Sequence, residues 1–216
     1  MELDKLDATF VIDTFLLLLI GVGPKIALVP FLEATSGMSH DTQQRVVRKM
    51  LTTAAIVSVL LLVLGGLLTR LLHFSPGALG IASGIILLII AVTMVLSQPD
   101  SNSGGHQQPR DQDPMQLAVF PLAVPYLLNP AGIVVLVTAS AEAASISVFA
   151  VTVGILILIF ALDVATFRWA VHVSNHMDQS RMLITEKVFG FLLAALAVQL
   201  ALNGLSDVGV IHLNMH

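Results

Sequence analysis

Two short interruptions lie inside otherwise apolar stretches of the sequence, and they contain the residues whose types and spacing could bind a solute. The first is Gly23-Pro24-Lys25 and the second is Asn129-Pro130-Ala131-Gly132. Because proline lacks a backbone N–H and clashes with the preceding helical turn, a membrane helix is expected to kink or break at each site. The backbone groups freed by a break can hydrogen-bond a polar solute, so both interruptions are predicted to bind substrate.

Two ionisable side chains in the apolar stretches are candidates for coupling ion movement to transport. Lys25 lies eight residues before Glu33, which places it roughly 12 Å deep along a helix. At that depth a lysine costs on the order of 2.5 kcal/mol or more unless it faces a cavity or a partner. Lys25 is interpreted either as a ligand for a carboxylate or a proton carrier, or as a structural residue held by helix carbonyls or by Asp163. Asp163 is the second coupling candidate, although with Arg168 nearby it is also typical of the cytoplasmic end of a helix.

Membrane-spanning helices are the elements that must position these residues. Of the 216 residues, 56% are hydrophobic and 11% are charged, whereas soluble domains carry about a quarter charged residues. Stretches such as 16–20 and 85–90 are apolar on every side, which favours helices over strands of alternating polarity. The sequence therefore predicts an all-α membrane protein.

Six transmembrane helices are predicted, because six predominantly apolar segments have the roughly 20 residues that cross a bilayer. Polar loops are expected at residues 33–49 and 174–187, and three prolines make the fourth helix implausible as a straight rod. The predicted domains are 1–97, a polar linker at 98–115, and 116–216. The predicted helices cover residues 10–32, 50–68, 78–96, 115–139, 146–171 and 188–203.

The distribution of basic residues predicts the orientation. Most of them fall in the loops after the first, third and fifth helices, and the positive-inside rule places those loops in the cytoplasm and both termini outside. The first apolar stretch follows acidic rather than basic residues, so it is interpreted as a retained helix of a cytoplasmic (inner) membrane protein. The residues used for this assignment are Arg45, Arg48, Lys49, Arg110, Arg181 and Lys187.

Enzymatic and cofactor chemistry has little support in the sequence. There is no cysteine, which excludes thiolate metal sites and thiol redox chemistry, and no phosphate-binding loop or nucleophile elbow is present. His172 and His176 are four residues apart, but no third ligand accompanies them, so no metal site is expected. We expect no enzyme activity, no cofactor and no nucleic-acid partner; the expected partners are a small solute, H⁺ or Na⁺, and membrane lipid.

An internal repeat relates the two halves. Shifting the sequence by 106 residues aligns Pro24 with Pro130 and Gly84 with Gly190 without a gap. Each half holds three predicted helices, an odd number, so the second half must cross the membrane in the opposite sense. The sequence thus predicts two inverted three-helix repeats with broken first and fourth helices. Thr93 and Gln199 occupy equivalent places and are further solute-binding candidates, although such residues often link helices.

The sequence also resembles the MarC family of six-helix inner-membrane proteins. FPLAVP at residues 120–125 is similar to the family's VPLAIP, KVFGFLL at 187–193 to its RxxGFLL, and ASGIIL at 82–87 to its AGGxLL. The family's DPxGNxPxF and GPGAI motifs stand here as GPKIALVPF at 23–31 and NPAGI at 129–133. Pro24, Phe31, Pro130 and Ile133 carry over, and the acidic and amide side chains of the first motif do not.

The resemblance implies transport, since family members include proteins described as small neutral amino acid transporters. Together with the repeat, it predicts a secondary transporter of a small polar metabolite by alternating access, with export left open as one direction of transport. A passive channel or facilitator and a non-transport assembly factor are the alternatives left open. Accumulation of solute against a gradient separates a coupled carrier from a channel, and an assembly factor gives no solute flux.

Overall fold

The computed structural model describes residues 8–96, 113–142, 146–173 and 179–211, and every regular element within them is helical. Five helices are long and apolar enough to cross a membrane, or up to six if one bent pair forms a single span. This confirms an all-helical membrane protein. The elements are α1 (Ala8–Val22), α2 (Pro24–Ala34), α3 (His40–Leu72), α4 (Pro76–Leu96), α5 (Pro114–Leu117), an irregular helical segment (Ala118–Leu127), α6 (Pro130–Glu142), α7 (Ile146–Val173) and α8 (Gln179–Asp207).

The polar stretch before the second apolar segment is helical, so its prediction as a loop through residue 49 was wrong. α3 begins at His40, and the Ser39 side chain caps it by accepting a hydrogen bond from the Thr42 N–H at 3.3 Å. Val46 and Met50 are fully buried, so the polar residues between them form the exposed face of an amphipathic helix. Hydropathy marks the length of a helix that lipid covers, and it does not mark where the helix starts.

The same misjudgement affects the last helix, because α8 begins at Gln179 rather than near residue 188. The predicted loop at 174–187 is therefore helical from residue 179 onward. Residues 98–112 of the predicted linker lie outside the described residues, as do Arg110, His176 and the side chain of Arg181. The domain division at this linker remains a prediction.

α7 packs against both α2 and α3. The rings of Phe31 on α2 and Phe167 on α7 are both fully buried and meet edge to face, with centroids 5.3 Å apart. At one end of the antiparallel pair α3 and α7, the rings of His40 and His172 lie 5.4 Å apart. These contacts fix α7 beside both the first broken segment and α3.

α4 and α8 form a close helix pair through glycines. A Cβ on Gly84 would lie 2.7 Å from the Ala197 carbonyl oxygen, and a Cβ on Gly190 would lie 3.2 Å from that of Ala91. Small residues let helix backbones approach closely, which is how membrane helices associate when lipid offers no hydrophobic driving force. Lys187 adds a polar link between the two helices, since its Nζ donates to the Met94 carbonyl at 2.8 Å.

Candidate functional site

Both sequence interruptions coincide with the start of a helix. α1 ends at Val22 and α2 begins at Pro24, with Gly23 between them in an extended conformation (φ −87°, ψ 166°). The segments Pro114–Leu127 and Pro130–Ala141 meet at an angle of 69°. Each new helix thus begins with a proline, whose missing N–H costs nothing at that position and whose fixed φ suits the first turn.

Asn129 joins the two interruptions. Its side-chain Nδ2 donates to the Ile20 carbonyl at 2.7 Å, and its backbone N–H donates to the Gly21 carbonyl at 3.0 Å. Its Oδ1 accepts from the Gly132 N–H at 3.1 Å, which caps the first turn of α6. The residue is fully buried, so these bonds are formed away from solvent. We call the contact between residues 20–23 and 129–132 the junction.

The junction depends on two glycines in direct contact. A Cβ built on Gly21 would overlap the backbone of Gly132, and a Cβ on Gly132 would overlap the backbone of Gly21. No larger residue fits at either position without moving one of the helices apart. Gly21 was not among the predicted site residues; its place in the same interruption as Gly23 was the available signal.

Asp163 lies in the core of the bundle. Its side chain is fully buried, and neither carboxylate oxygen has a hydrogen-bond partner among the described residues. It follows Ile159 and precedes Phe167 on the buried face of α7, and Phe167 packs on α2. Arg168 lies on an exposed face of the same helix. Asp163 therefore packs inside the bundle, and its interpretation as a marker of the cytoplasmic end stays a prediction.

Lys25 lies in the first turn of α2 with an exposed side chain. It forms no hydrogen bond or ion pair with the residues that the structure describes, and the Asp163 oxygens are likewise unpartnered. The interpretation of Lys25 as a residue held by Asp163 or by helix carbonyls is therefore not supported.

The structure does not bring Thr93 and Gln199 to the junction. Both side chains are exposed, on α4 and α8 respectively. The Thr93 hydroxyl donates to the Ile90 carbonyl at 2.7 Å, and the Gln199 amide donates to Asn203 Oδ1 at 2.8 Å. Each of these two bonds is local to its own helix. Gly23, Asn129, Pro130 and Gly132 are at the junction, and Pro24 follows it directly at the start of α2.

A cavity of about 360 Å³ borders the junction through Ala131, the neighbour of Pro130. It is lined by residues from α1, α4, α6, α7 and α8. Its polar lining includes Asp13, Thr14 and Asp207, none of which was predicted as a site residue. An aspartate just inside the first apolar stretch was the available signal. The junction and the cavity together offer backbone polar groups, carboxylates and apolar walls within one bundle.

The MarC family model, which describes integral membrane proteins, matches residues 8–208. The chain belongs to the MarC family. The resemblance noted in its motifs is thereby confirmed, and the match covers every described membrane helix. This MarC-family chain is an integral multi-pass membrane protein.

Curated relatives of this MarC-family chain are named UPF0056 membrane proteins. One from Methanocaldococcus jannaschii is 25% identical over 184 residues, covering 85% of this chain and 90% of the relative. One from Archaeoglobus fulgidus is 23% identical over 199 residues, covering 92% and 93%. One from Chlamydia muridarum is 26% identical over 182 residues, covering 83% and 85%. No solved structure matches the chain significantly.

Proposed function

We propose that this chain is a secondary transporter that moves a small polar metabolite by alternating access, with a small neutral amino acid as the first candidate solute. The observation that carries the proposal is the junction, where two interrupted segments 109 residues apart are joined by a fully buried Asn129. Secondary transporters bind solutes near the membrane midplane between discontinuous helices of two repeats. The MarC resemblance supplies the amino acid as solute class.

Reciprocal helix contacts support an inverted repeat of residues 1–97 and 116–216. Gly84 contacts Ala197 across the α4–α8 pair, and Gly190 contacts Ala91. Gly190 lies 106 residues after Gly84, and Ala91 lies 106 residues before Ala197, so the repeat relates the first contact to the second. A pseudo-two-fold axis between the halves produces such reciprocity, and it would also relate the interruptions at Pro24 and Pro130.

The solute carboxylate is proposed to bind at the start of α2. A helix N-terminus carries a partial positive charge and backbone N–H groups that favour anions. Asn129 caps α6, whereas Gly23 has no side chain with which to cap α2. Lys25 adds a full positive charge in the first turn of α2. We assign Gly23, Pro24 and Lys25 to this subsite, with the Asn129-Pro130-Ala131-Gly132 turn as its opposite wall.

Asp163 is proposed to carry the coupling ion. A buried carboxylate without a partner is costly, and ionisable residues inside membrane helices mark ion pathways. Its buried position on α7 beside the α2 contact Phe31–Phe167 places it where movement of α2 would change its surroundings. We propose H⁺ as the coupling ion, because Ile159 and Phe167, one turn before and after Asp163 on its buried face, supply no side-chain oxygen ligands of the kind that Na⁺ needs.

The proposed membrane is the cytoplasmic one, with both termini outside. Arg45, Arg48 and Lys49 are exposed on the first turns of α3, and Lys187 lies near the start of α8. In a six-span arrangement these positions fall on one side of the bilayer, where the positive-inside rule places the cytoplasm.

Uptake by the purified protein in liposomes tests the function. Labelled alanine, serine and other small neutral amino acids are supplied outside, with and without an imposed pH gradient. We expect saturable uptake that the pH gradient accelerates, because a carrier binds its solute once per cycle. Non-saturable uptake that only equilibrates solute would identify a channel instead, and absence of flux for every solute would refute transport.

Two variants separate the assigned roles. Asp163→Asn keeps the size of the side chain and removes its ionisation, so saturable exchange should persist while stimulation by the pH gradient is lost. Lys25→Met keeps the length and removes the charge, so it should raise the solute concentration that gives half-maximal uptake. If Lys25→Met leaves both uptake and its pH dependence intact, Lys25 has no place in the site.

A further inference from the structure

Among the residues that the structure describes, those that line the cavity beside the junction include acidic groups and no basic ones. Asp13 on α1 and Asp207 at the end of α8 line it, together with Asn203 and Thr138. No lysine, arginine or histidine is among its lining residues, and Lys25 lies elsewhere. Two carboxylates in one cavity without a compensating base attract a cation. The exposed side chains of Asp13, Asn203 and Asp207 make this the open end of the cavity.

Thr14 provides an independent sign of a polar ligand. Its side chain lines the cavity with an exposed fraction of only 9%, and its hydroxyl forms no hydrogen bond with a described residue. Other lining threonines are bonded within their own helices; Thr138, for example, donates to the Val134 carbonyl at 2.7 Å. The hydroxyl is not among the buried atoms that lack a partner, so it is accessible from the cavity and free to accept a hydrogen bond from a ligand there.

We propose that this cavity binds a small organic solute through a primary ammonium group held by Asp13 and Asp207, with Thr14 accepting one of its N–H groups. Most of the remaining wall is aliphatic, including Leu17 and Leu200, which suits a short alkyl chain. An inorganic cation would need about six oxygen ligands around it, and aliphatic walls do not supply them. The volume of about 360 Å³ lies at the lower end for ligand pockets and limits the solute to a small one.

The inference deepens the proposed function and rests on it for its biological meaning. The cavity reaches the junction through Ala131, so a solute held at Asp13 and Asp207 would occupy a first binding position on the way to the proposed carboxylate subsite. An ammonium group would then favour entry of the transported solute. Binding and flux are measured separately, so failure of one is distinguishable from failure of the other.

Thermal unfolding of the full-length protein in mild detergent is the test, with n-butylammonium chloride as the probe. A ligand that binds only the folded state raises the melting temperature progressively with its concentration. The matched probes are n-butanol, which lacks the charge, sodium butyrate, which reverses it, and sodium chloride at equal ionic strength. We expect a concentration-dependent increase with butylammonium alone.

Variants at the cavity assign the effect to its residues. Asp13→Asn and Asp207→Asn should leave the melting temperature of the free protein unchanged, because both side chains are exposed, while each weakens butylammonium binding about tenfold or more. Thr14→Val keeps the shape of the side chain and removes its hydroxyl. It should leave the melting temperature of the free protein unchanged or raise it, and it should weaken butylammonium binding. Asp41→Asn, an exposed carboxylate at the opposite end of the bundle, is the control and should bind as the wild type does.

Several results would overturn the proposal. An equal increase with butanol would show that only the apolar walls bind, and an equal increase with sodium chloride would show a general salt effect. Wild-type binding by both aspartate variants would place the ammonium elsewhere. If butylammonium binding fails while amino acid flux persists, the inference falls and the transport proposal stands; the reverse outcome leaves a binding site without transport.

Discussion

Replacing Asn129 by alanine tests the junction most specifically. The substitution removes the side-chain bonds to the Ile20 carbonyl (2.7 Å) and the Gly132 N–H (3.1 Å), and it keeps the backbone bond to Gly21. Each lost bond is worth about 1 kcal/mol, and a buried partner left unsatisfied costs about 1–3 kcal/mol, so we expect a loss of about 2–4 kcal/mol. At about 2–4 °C per kcal/mol for a chain of this size, the melting temperature should fall by roughly 10 °C.

Asn129→Asp tests the N–H donor of the Asn129 amide alone, because it keeps the size of the side chain and the Oδ1 that accepts from Gly132. Its second oxygen would face the Ile20 carbonyl, where Asn129 now presents an N–H donor. Two acceptors in that position repel each other, so the aspartate variant should melt no higher than the alanine variant.

The assay is the fraction of purified protein that remains monodisperse by gel filtration after heating in mild detergent. Gln44→Ala is the matched control, since Gln44 also carries an amide but is exposed on α3 and should change the melting temperature little. The reasoning is refuted if Asn129→Ala melts with the control, or if Asn129→Asp melts like the wild type.

Three further predictions follow from the packing and the topology. Gly84→Val should lower the melting temperature by several degrees because α4 and α8 must separate, whereas Gly154→Val should have little effect because a Cβ on Gly154 would meet no described atom of another element within 4 Å; thermal unfolding measures both. Asp163→Asn should melt at or above the wild-type temperature, since it removes an unpartnered buried charge, and a large decrease would indicate a structural partner. The chain has no cysteine, so single-cysteine variants report orientation: a membrane-impermeant thiol reagent should label Leu72→Cys in intact cells and Gln44→Cys only after permeabilisation, and the opposite pattern would invert the topology.

The positions of both interruptions could be predicted because their signal is local. Pro24 and Pro130 each begin a helix, as the missing N–H and fixed φ require. The junction that joins them could not be predicted, because the partner of the Asn129 side chain is a backbone carbonyl 109 residues away. No pattern in the sequence identifies which carbonyl a buried amide will reach.

Helix ends and side-chain burial were harder to predict from the sequence, because both depend on packing between helices. The first turns of α3 are polar on one face only, so the average hydropathy of the segment resembles that of a loop. Asp163 and Arg168 are spaced so that they face different directions, and only the packing of α7 shows which of them is buried. The cavity is built by five helices, and its residues are scattered from Asp13 to Asp207, so no single stretch of sequence predicts it.

The steady-state accumulation of solute most directly tests the claim that the chain is a coupled transporter. Liposomes containing the purified protein receive a labelled small neutral amino acid under an imposed pH gradient, and the internal and external concentrations are compared. The account predicts an internal concentration above the external one that collapses when a protonophore is added, and no accumulation with Asp163→Asn. An internal concentration that never exceeds the external one would contradict it.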